Sequence, residues 1–256
     1  TASGSPVFST SVPWTTTNTK SLDLEATSDQ YASNASTSGL TITGDMTIEF
    51  WAKPESLAYS TWIIDSGTAG SETEADNTLF QVKFNSDSSM NWLHEYSTGT
   101  NESKSSTTTP VVVGAWHHYA WVRDTVANDI RYYFDGVLND TVAYTNEATG
   151  GATGNKMWVG VNTNATAGVD YDGLLDEIRI WDVARTVDQI AAAKDTAIKQ
   201  DHANLQACYA LDDGYLDETA NSNDLTATGS PTFNADVPFP IVASITATGT
   251  NMYIIL

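Results

Sequence analysis

Apolar and polar residues alternate with period two along most of the chain, and clusters of Gly, Asn, Asp, Ser and Thr interrupt the alternation at short intervals. Successive side chains of an extended backbone point to opposite faces, so the pattern confines the chain to short strands joined by turns. In Met46–Pro54, the residues Ile48, Phe50 and Ala52 share one face while Glu49, Trp51 and Lys53 share the other, and Pro54 ends the run. Residues 116–123 align His118, Ala120 and Val122. Residues 130–134 lead through Asp135-Gly136, a dipeptide suited to a two-residue hairpin turn, into Val137-Leu138. Residues 156–161, Gly173–Trp181 and 205–211 read as further strands. A single short helix is expected near residues 186–196, where Thr186 can cap the first turn, Gln189 can reach back to it, and Ile190-Ala-Ala-Ala-Lys supplies good helix formers. The polar stretches 66–77 and 97–110 hold too little apolar surface to offset the entropy of ordering them and read as surface loops.

Such a succession of strands predicts two packed antiparallel sheets. Charge then narrows the partners. The 256 residues carry 11 Lys and Arg against 32 Asp and Glu, a net charge of -21. That excess repels phosphate backbones and anionic membrane surfaces, so no nucleic-acid partner is expected. No run approaches the roughly 18 apolar residues of a spanning helix, and no membrane insertion is expected. Cys208 is the only cysteine, which excludes an intramolecular disulfide and a cysteine-based zinc site. Stability must come from burial, with or without a metal ion.

Several segments taken in order carry a resemblance: Ser21-Leu-Asp-Leu-Glu25 with Asp29-Gln-Tyr31, then MTIEFWAKP (46–54), WHHYAWVRD (116–124), IRYYFDGVL (130–138), GLLDEIRIWD (173–182) with its capped helix, and YALDDG (209–214) with NSNDL (221–225). In this order and spacing the chain resembles the laminin-G-like, pentraxin-related branch of the concanavalin A-like lectin/glucanase superfamily. The resemblance covers roughly residues 20–235, and Glu25-Ala26 stands where the family has Asp-Gly. It implies an all-β, two-sheet jelly roll whose loops or concave face bind carbohydrate, frequently with a bound calcium. The organisation expected is an N-terminal extension over 1–19, a jelly-roll domain over 20–236, and a linker with an apolar strand arm over 237–256. An apolar end should not face water, so residues 241–256 either complete a sheet edge or dock on another subunit as a homo-oligomer contact.

Calcium takes about 6–8 oxygen ligands, and Asp176 is the sharpest candidate because alternation places it with Ile178 and Ile180, facing the core. A buried carboxylate needs a partner or a metal. The resemblance brings the first and penultimate strands together, which puts Glu25 and Asp29 within reach of Asp176 as a calcium set; the competing reading has Asp176 accepting backbone N–H groups at a strand start. Asp170 and Asp172 flank Tyr171 and serve either a second ion or the solvation of their loop. Sugar recognition pairs an exposed ring with polar side chains. Among the loop and strand-end aromatics Tyr59, Trp62, Trp92, Tyr96, Tyr144 and Tyr171, those selected as ligand-binding are Trp62, Trp92, Tyr96 and Tyr171, with Asp172 beside them.

No Glu-x-Asp-x-x-Glu of the laminarinase type, no Gly-x-Ser-x-Gly and no phosphate loop is present, so no catalytic residue is assigned. The expectation is a non-catalytic, calcium-stabilised glycan-binding module on an extracellular, virion or cell surface. Its rival is an assembly protein that uses the sandwich as a scaffold and the C-terminal arm for oligomerisation, with a glucanase third.

Overall fold

A computed structural model describes residues 18–34, 39–68, 78–97, 99–149, 155–162, 170–196, 198, 202–239, 244–248 and 251–255, the side chains of 68, 155, 244–248 and 251–255 excepted. Two antiparallel sheets form a sandwich. The first is built from β1 (Ser21–Leu24), β3 (Met46–Pro54), β8 (His117–Asp124), β9 (Asp129–Phe134), β10 (Val137–Ala143), β12 (Gly173–Trp181), β13 (Leu205–Tyr209) and β15 (Thr232–Asn234), in the order β10-β9-β8-β3-β12-β1-β15 with β13 also paired to β12. The second contains β2 (Tyr31–Asn34), β4 (Thr61–Thr68), β5 (Thr78–Phe84), β6 (Met90–Ser97), β7 (Thr100–Ser105), β11 (Asn155–Val159) and β14 (Leu225–Thr228), in the order β14-β2-β11-β4-β5-β6-β7. The two antiparallel sheets expected from alternation, and the all-β jelly roll that the resemblance implies, are therefore present.

The inner faces share one core. Ile48, Phe50, Tyr119, Trp121 and Ile180 of the first sheet meet Ile64, Phe80, Val82, Phe84 and Trp92 of the second. Phe84 crosses between the layers, with its ring 4.7 Å from Tyr119 and 6.3 Å from Phe50. The β9–β10 turn is the one the sequence asks for: Asp135 and Gly136 have φ of 50° and 78°, and a Cβ on Gly136 would meet the backbone of Ala191 at 3.0 Å. The helix α1 (Val187–Ala193) begins at Thr186 with a complete capping box to Gln189.

Two expectations are corrected. Residues 100–105, read as loop, form β7 at the edge of the second sheet, where a strand is half solvated and needs little apolar content; the stretch at 66–77 begins inside β4, and 69–77 lie outside the described residues. The second correction concerns Asp176. Within β12, Asp176 pairs with Trp51 but Arg179 pairs with Glu49, so Glu177 and Ile178 together oppose Phe50. This is a β-bulge with Glu177 at φ 50°, and it resets the alternation. Leu175 and Ile178 both enter the core, whereas Asp176 and Arg179 lie on the outer face.

That outer face is buried where residues 183–196 and Ile198 lie across it. Ile190 packs on Ala120, Val122 and Tyr133, and Ile198 packs on Trp181, Leu205 and Cys208. Beneath it Glu49, wholly buried, accepts from Trp181 Nε1 at 2.9 Å and from Arg185, while Arg179 pairs with Glu177 at 2.8 Å and donates to the carbonyl of Ala193. At the C-terminal side, Asp236 takes Lys53 Nζ at 2.6 Å and Trp116 Nε1 at 2.9 Å, and Phe239 rests 5.6 Å from the Trp51 ring. Residues Ser244–Thr248 (β16) and Asn251–Ile255 (β17) pair with each other in a separate two-stranded sheet, in neither layer of the sandwich.

Candidate functional site

One end of the sandwich carries a cavity of about 520 Å³. Three chain segments converge there. The β1–β2 connection contributes Ala26, Thr27 and Asp29, the β3–β4 connection contributes Ser56, Ala58 and Tyr59 with Thr61 at the start of β4, and the approach to β12 contributes Asp170 and Asp172. They meet because β1 and β3 flank β12 in the sheet, with Leu24 and Pro54 both opposite Gly173. Gly173 has φ 136°, and a Cβ there would sit 2.4 Å from the carbonyl of Lys53, so this close approach requires glycine. Asp172 is fixed in turn: its carboxylate accepts from Ala26 N at 3.2 Å, and its carbonyl accepts from Glu55 N at 2.8 Å.

The cavity pairs one aromatic wall with an acidic floor. Tyr59 is 67% exposed, so its ring is open to a ligand. Asp170 is only 4% exposed, and its Oδ1 is enclosed without a hydrogen-bond partner. Burial first, and the neighbouring Asp29 carboxylate second, push the Asp170 carboxyl up to about 6. Thr61, 5% exposed, also has its hydroxyl oxygen enclosed and unpartnered. Negative charge accumulates around the rim: Glu55 is raised by burial and then by Asp23, Glu25 and Asp172. No Lys or Arg is among the lining residues, and Lys53 is engaged by Asp236.

The sequence-selected residues divide. Asp29 and Asp172 line this cavity, and Glu25 is exposed beside it. Asp176 does not join them. It sits on the outer face of the first sheet, where Asn18 Nδ2 donates to its Oδ2 at 2.9 Å, its Oδ1 and that of Asn18 lack partners, and burial followed by Glu177 pushes its carboxyl well above the ordinary range. The set Glu25, Asp29 and Asp176 is therefore not assembled, and among the described residues no three His, Cys, Asp or Glu side chains form a metal-holding group. What the cavity does hold is oxygen-rich: Asp29 and Asp170 with the hydroxyls of Thr27, Ser56 and Thr61, a donor set that suits a hard cation completed by neutral oxygens.

Two of the selected aromatics are unavailable as stacking platforms. Tyr171 is fully buried in the core with its hydroxyl donating to the carbonyl of Leu174 at 3.0 Å. Trp92 is also in the core, with Nε1 donating to His94 Nδ1 at 2.9 Å. Trp62 is 7% exposed and packs under Lys83, whose Nζ lies 5.0 Å from its ring, and Tyr96 is half-buried on β6. The exposed ring at the cavity is instead Tyr59, which the sequence presents without a distinguishing signal beyond its place in a Ser-rich connection.

A family model described as the concanavalin A-like lectin/glucanases superfamily matches residues 26–191, well over half of the chain. The chain belongs to this superfamily. The fold is shared with a protein from Bacteroides ovatus provisionally described as carbohydrate binding, at 17% identity and a TM-score of 0.64 over 88% of this chain. The chain spans 62% of the length of that protein. A heptameric SAP-like pentraxin from Limulus polyphemus aligns at 15% identity and a TM-score of 0.57, covering 84% of this chain and 94% of the pentraxin. The CBM40 of a Ruminococcus gnavus IT-sialidase, in a structure bound to α2,3 sialyllactose, aligns at 12% identity and a TM-score of 0.55, covering 70% of this chain and 99% of the module. No curated protein matches in sequence. At these identities the likeness to solved structures is one of fold.

Proposed function

We propose that the chain is a non-catalytic carbohydrate-binding module of the superfamily and that the cavity at the β1–β2, β3–β4 and β12 approaches is its glycan site. The observation that carries this reading is the juxtaposition of the exposed Tyr59 ring with carboxylates at Asp29, Asp170 and Asp172. An open ring offers stacking to the apolar face of a pyranose, and carboxylates accept from its hydroxyls. With three acids and no basic lining residue, the cavity favours neutral glycans over sialylated or uronic ones. Carbohydrate-binding relatives of the same fold support the reading. The non-catalytic assignment is supported by Glu49, the lone acid of its strand, being sealed under Arg185 and Trp181 rather than facing a cleft.

A glycan array with neutral and sialylated oligosaccharides tests it. The expected result is selective capture of neutral glycans, weakened about tenfold or more by Tyr59→Ala. Capture unaffected by that substitution, or confined to anionic sugars, refutes the site.

The separate β16–β17 hairpin supports a second role, in assembly. A lone two-stranded hairpin is marginally stable in water and gains from pairing elsewhere. A version ending after Phe239, which keeps the Asp236 and Phe239 contacts, is expected to have a lower mass per particle in light scattering than the full chain corrected for its lost residues. An unchanged number of copies removes the assembly role.

A further inference from the structure

We infer that the cavity selects sugars that carry a free amino group, hexosamines without their N-acetyl cap, and that Asp170, Asp29 and the Thr61 hydroxyl receive the sugar's ammonium while its ring lies on Tyr59. This deepens the glycan-site reading and rests on it.

Two buried oxygens on the wall of this cavity lack a partner. Asp170 and Thr61 come from different strand approaches and are each more than nine-tenths buried, yet Asp170 Oδ1 and the Thr61 hydroxyl oxygen make no hydrogen bond. An unpaired buried carboxylate is costly, and the neighbouring Asp29 carboxylate bears the same charge. The lining contains no Lys, Arg or His, and every polar side chain in it ends in oxygen. The wall is therefore short of both N–H donors and positive charge. A sugar hydroxyl supplies a donor without charge, whereas an ammonium supplies three N–H donors and a unit charge in one small group. Its bonds to carboxylates are charge-assisted, roughly twice as strong as those between neutral partners. Three acceptors suffice for it, and the cavity offers them without any convergence of three acidic or imidazole side chains, a grouping not found among the described residues.

The aromatic ring makes a sugar the carrier of that amine. Tyr59 and Thr61 are separated by Ser60 alone, so one short connection holds both the open ring and an unpaired acceptor, and the approach to β12 brings Asp170 to the same cavity. An amine bonded directly to a pyranose carbon keeps its charge beside the ring, so one ligand can stack and pair at once. A lysine side chain carries its charge at the end of a flexible four-carbon stem and offers Tyr59 no ring. An N-acetyl cap removes the charge.

The experiment is titration calorimetry of the full chain with oligomers of glucosamine and of galactosamine, each beside its fully N-acetylated counterpart of equal length. It is run in chelator at about pH 6.5, so that the sugar amine is charged. At least one free-amine oligomer is expected to bind about tenfold or more tighter than its acetylated form. Asp170→Asn is expected to abolish most of that preference while melting no earlier than the wild type, because it removes an unpaired charge. Thr61→Val is expected to narrow the preference part-way, and Asp176→Asn, on the outer face, to keep it. Tetralysine controls for the net charge of -21 and is expected to bind more weakly, without dependence on Asp170. Equal affinity for free and acetylated forms, a preference that Asp170→Asn leaves intact, or tetralysine binding with the same dependence on Asp170 overturns the inference. If the acetylated oligomers bind as tightly as the free ones and Tyr59→Ala weakens both, this inference fails while the glycan site stands. If no sugar of either kind binds, or Tyr59→Ala leaves capture of both intact, the glycan site fails and the inference falls with it.

Discussion

Replacing Glu49 with alanine is expected to cost about 3–5 kcal/mol of stability. Glu49 is fully buried, and its Oε1 receives both Trp181 Nε1 and the Arg185 guanidinium. Without it, Arg185 keeps the carbonyl of Gln189 at 2.9 Å and the face of Trp181 at 4.2 Å, and its charge is opposed by nothing comparable. Arg179, close enough to depress Arg185 further, adds to the imbalance. The segment 183–196 is also tied to β3 through Thr47, whose hydroxyl donates to the carbonyl of Val183 and accepts from Arg185 N, so losing the ion pair loosens the cover of this part of the outer face. Urea unfolding should show a lower midpoint with an unchanged slope. Removing both charges, in Glu49→Leu with Arg185→Leu, should recover much of the loss, because the penalty comes from the stranded partner rather than from the missing attraction. A cost below about 1 kcal/mol for the single substitution contradicts this account.

Acidification from pH 7.5 to 5.5 is expected to destabilise the fold through two buried histidines that must take up a proton against their surroundings. His118 is held neutral by burial and by Arg179, Lys194 and Arg185; these outweigh Glu49, whose Oε2 lies 3.7 Å from Nε2. His94 is lowered chiefly by burial, and its partners define the neutral ring: Nδ1 accepts from Trp92 Nε1, so Nε2–H donates to the carbonyl of Asn146 at 2.7 Å. Both pKa values are depressed relative to the unfolded chain. The unfolded state therefore binds more protons as pH falls below about 6.5, and stability is retained above that value and lost below it, by up to about 1.4 kcal/mol per pH unit for each ring. Carboxylates held below their ordinary range, such as Glu102, act at lower pH, whereas Asp170, pushed up to about 6, and Asp176, raised well above its ordinary range, take up protons in the folded state and offset part of the histidine loss. Stability measured in urea at pH 7.5, 6.5 and 5.5 gives the slope, and His118→Asn should lose less stability on acidification than the wild type. A profile that His118→Asn leaves unchanged is the result that contradicts it.

The legible part of this protein is the part governed by short-range geometry. The faces of Met46–Pro54, the turn at Asp135-Gly136 and the capping box of Thr186 with Gln189 all follow from residues within a few positions of one another, and each is present. Of the candidate site, Asp29 and Asp172 were legible as oxygen donors in loops flanking strands. Asp176 misled because one extra residue at Glu177 reverses every face inferred by counting along β12, and a bulge has no reliable mark in composition. Tyr171 and Trp92 misled because an aromatic near a strand end is equally suited to core and surface, and only the closing of the opposite sheet decides which.

Alternation, turn chemistry and a large excess of acid over base determined, without coordinates, that this chain pleats into two antiparallel layers with a strongly acidic balance, since these properties depend on local backbone preference and on total charge. Tertiary structure alone decided that Asp29 faces Asp170 across about 140 residues of chain, and that Tyr59 stands open while Glu49 is sealed. Those outcomes depend on which strands lie side by side and which loops close over them, a cooperative choice made by burying the shared core as a whole.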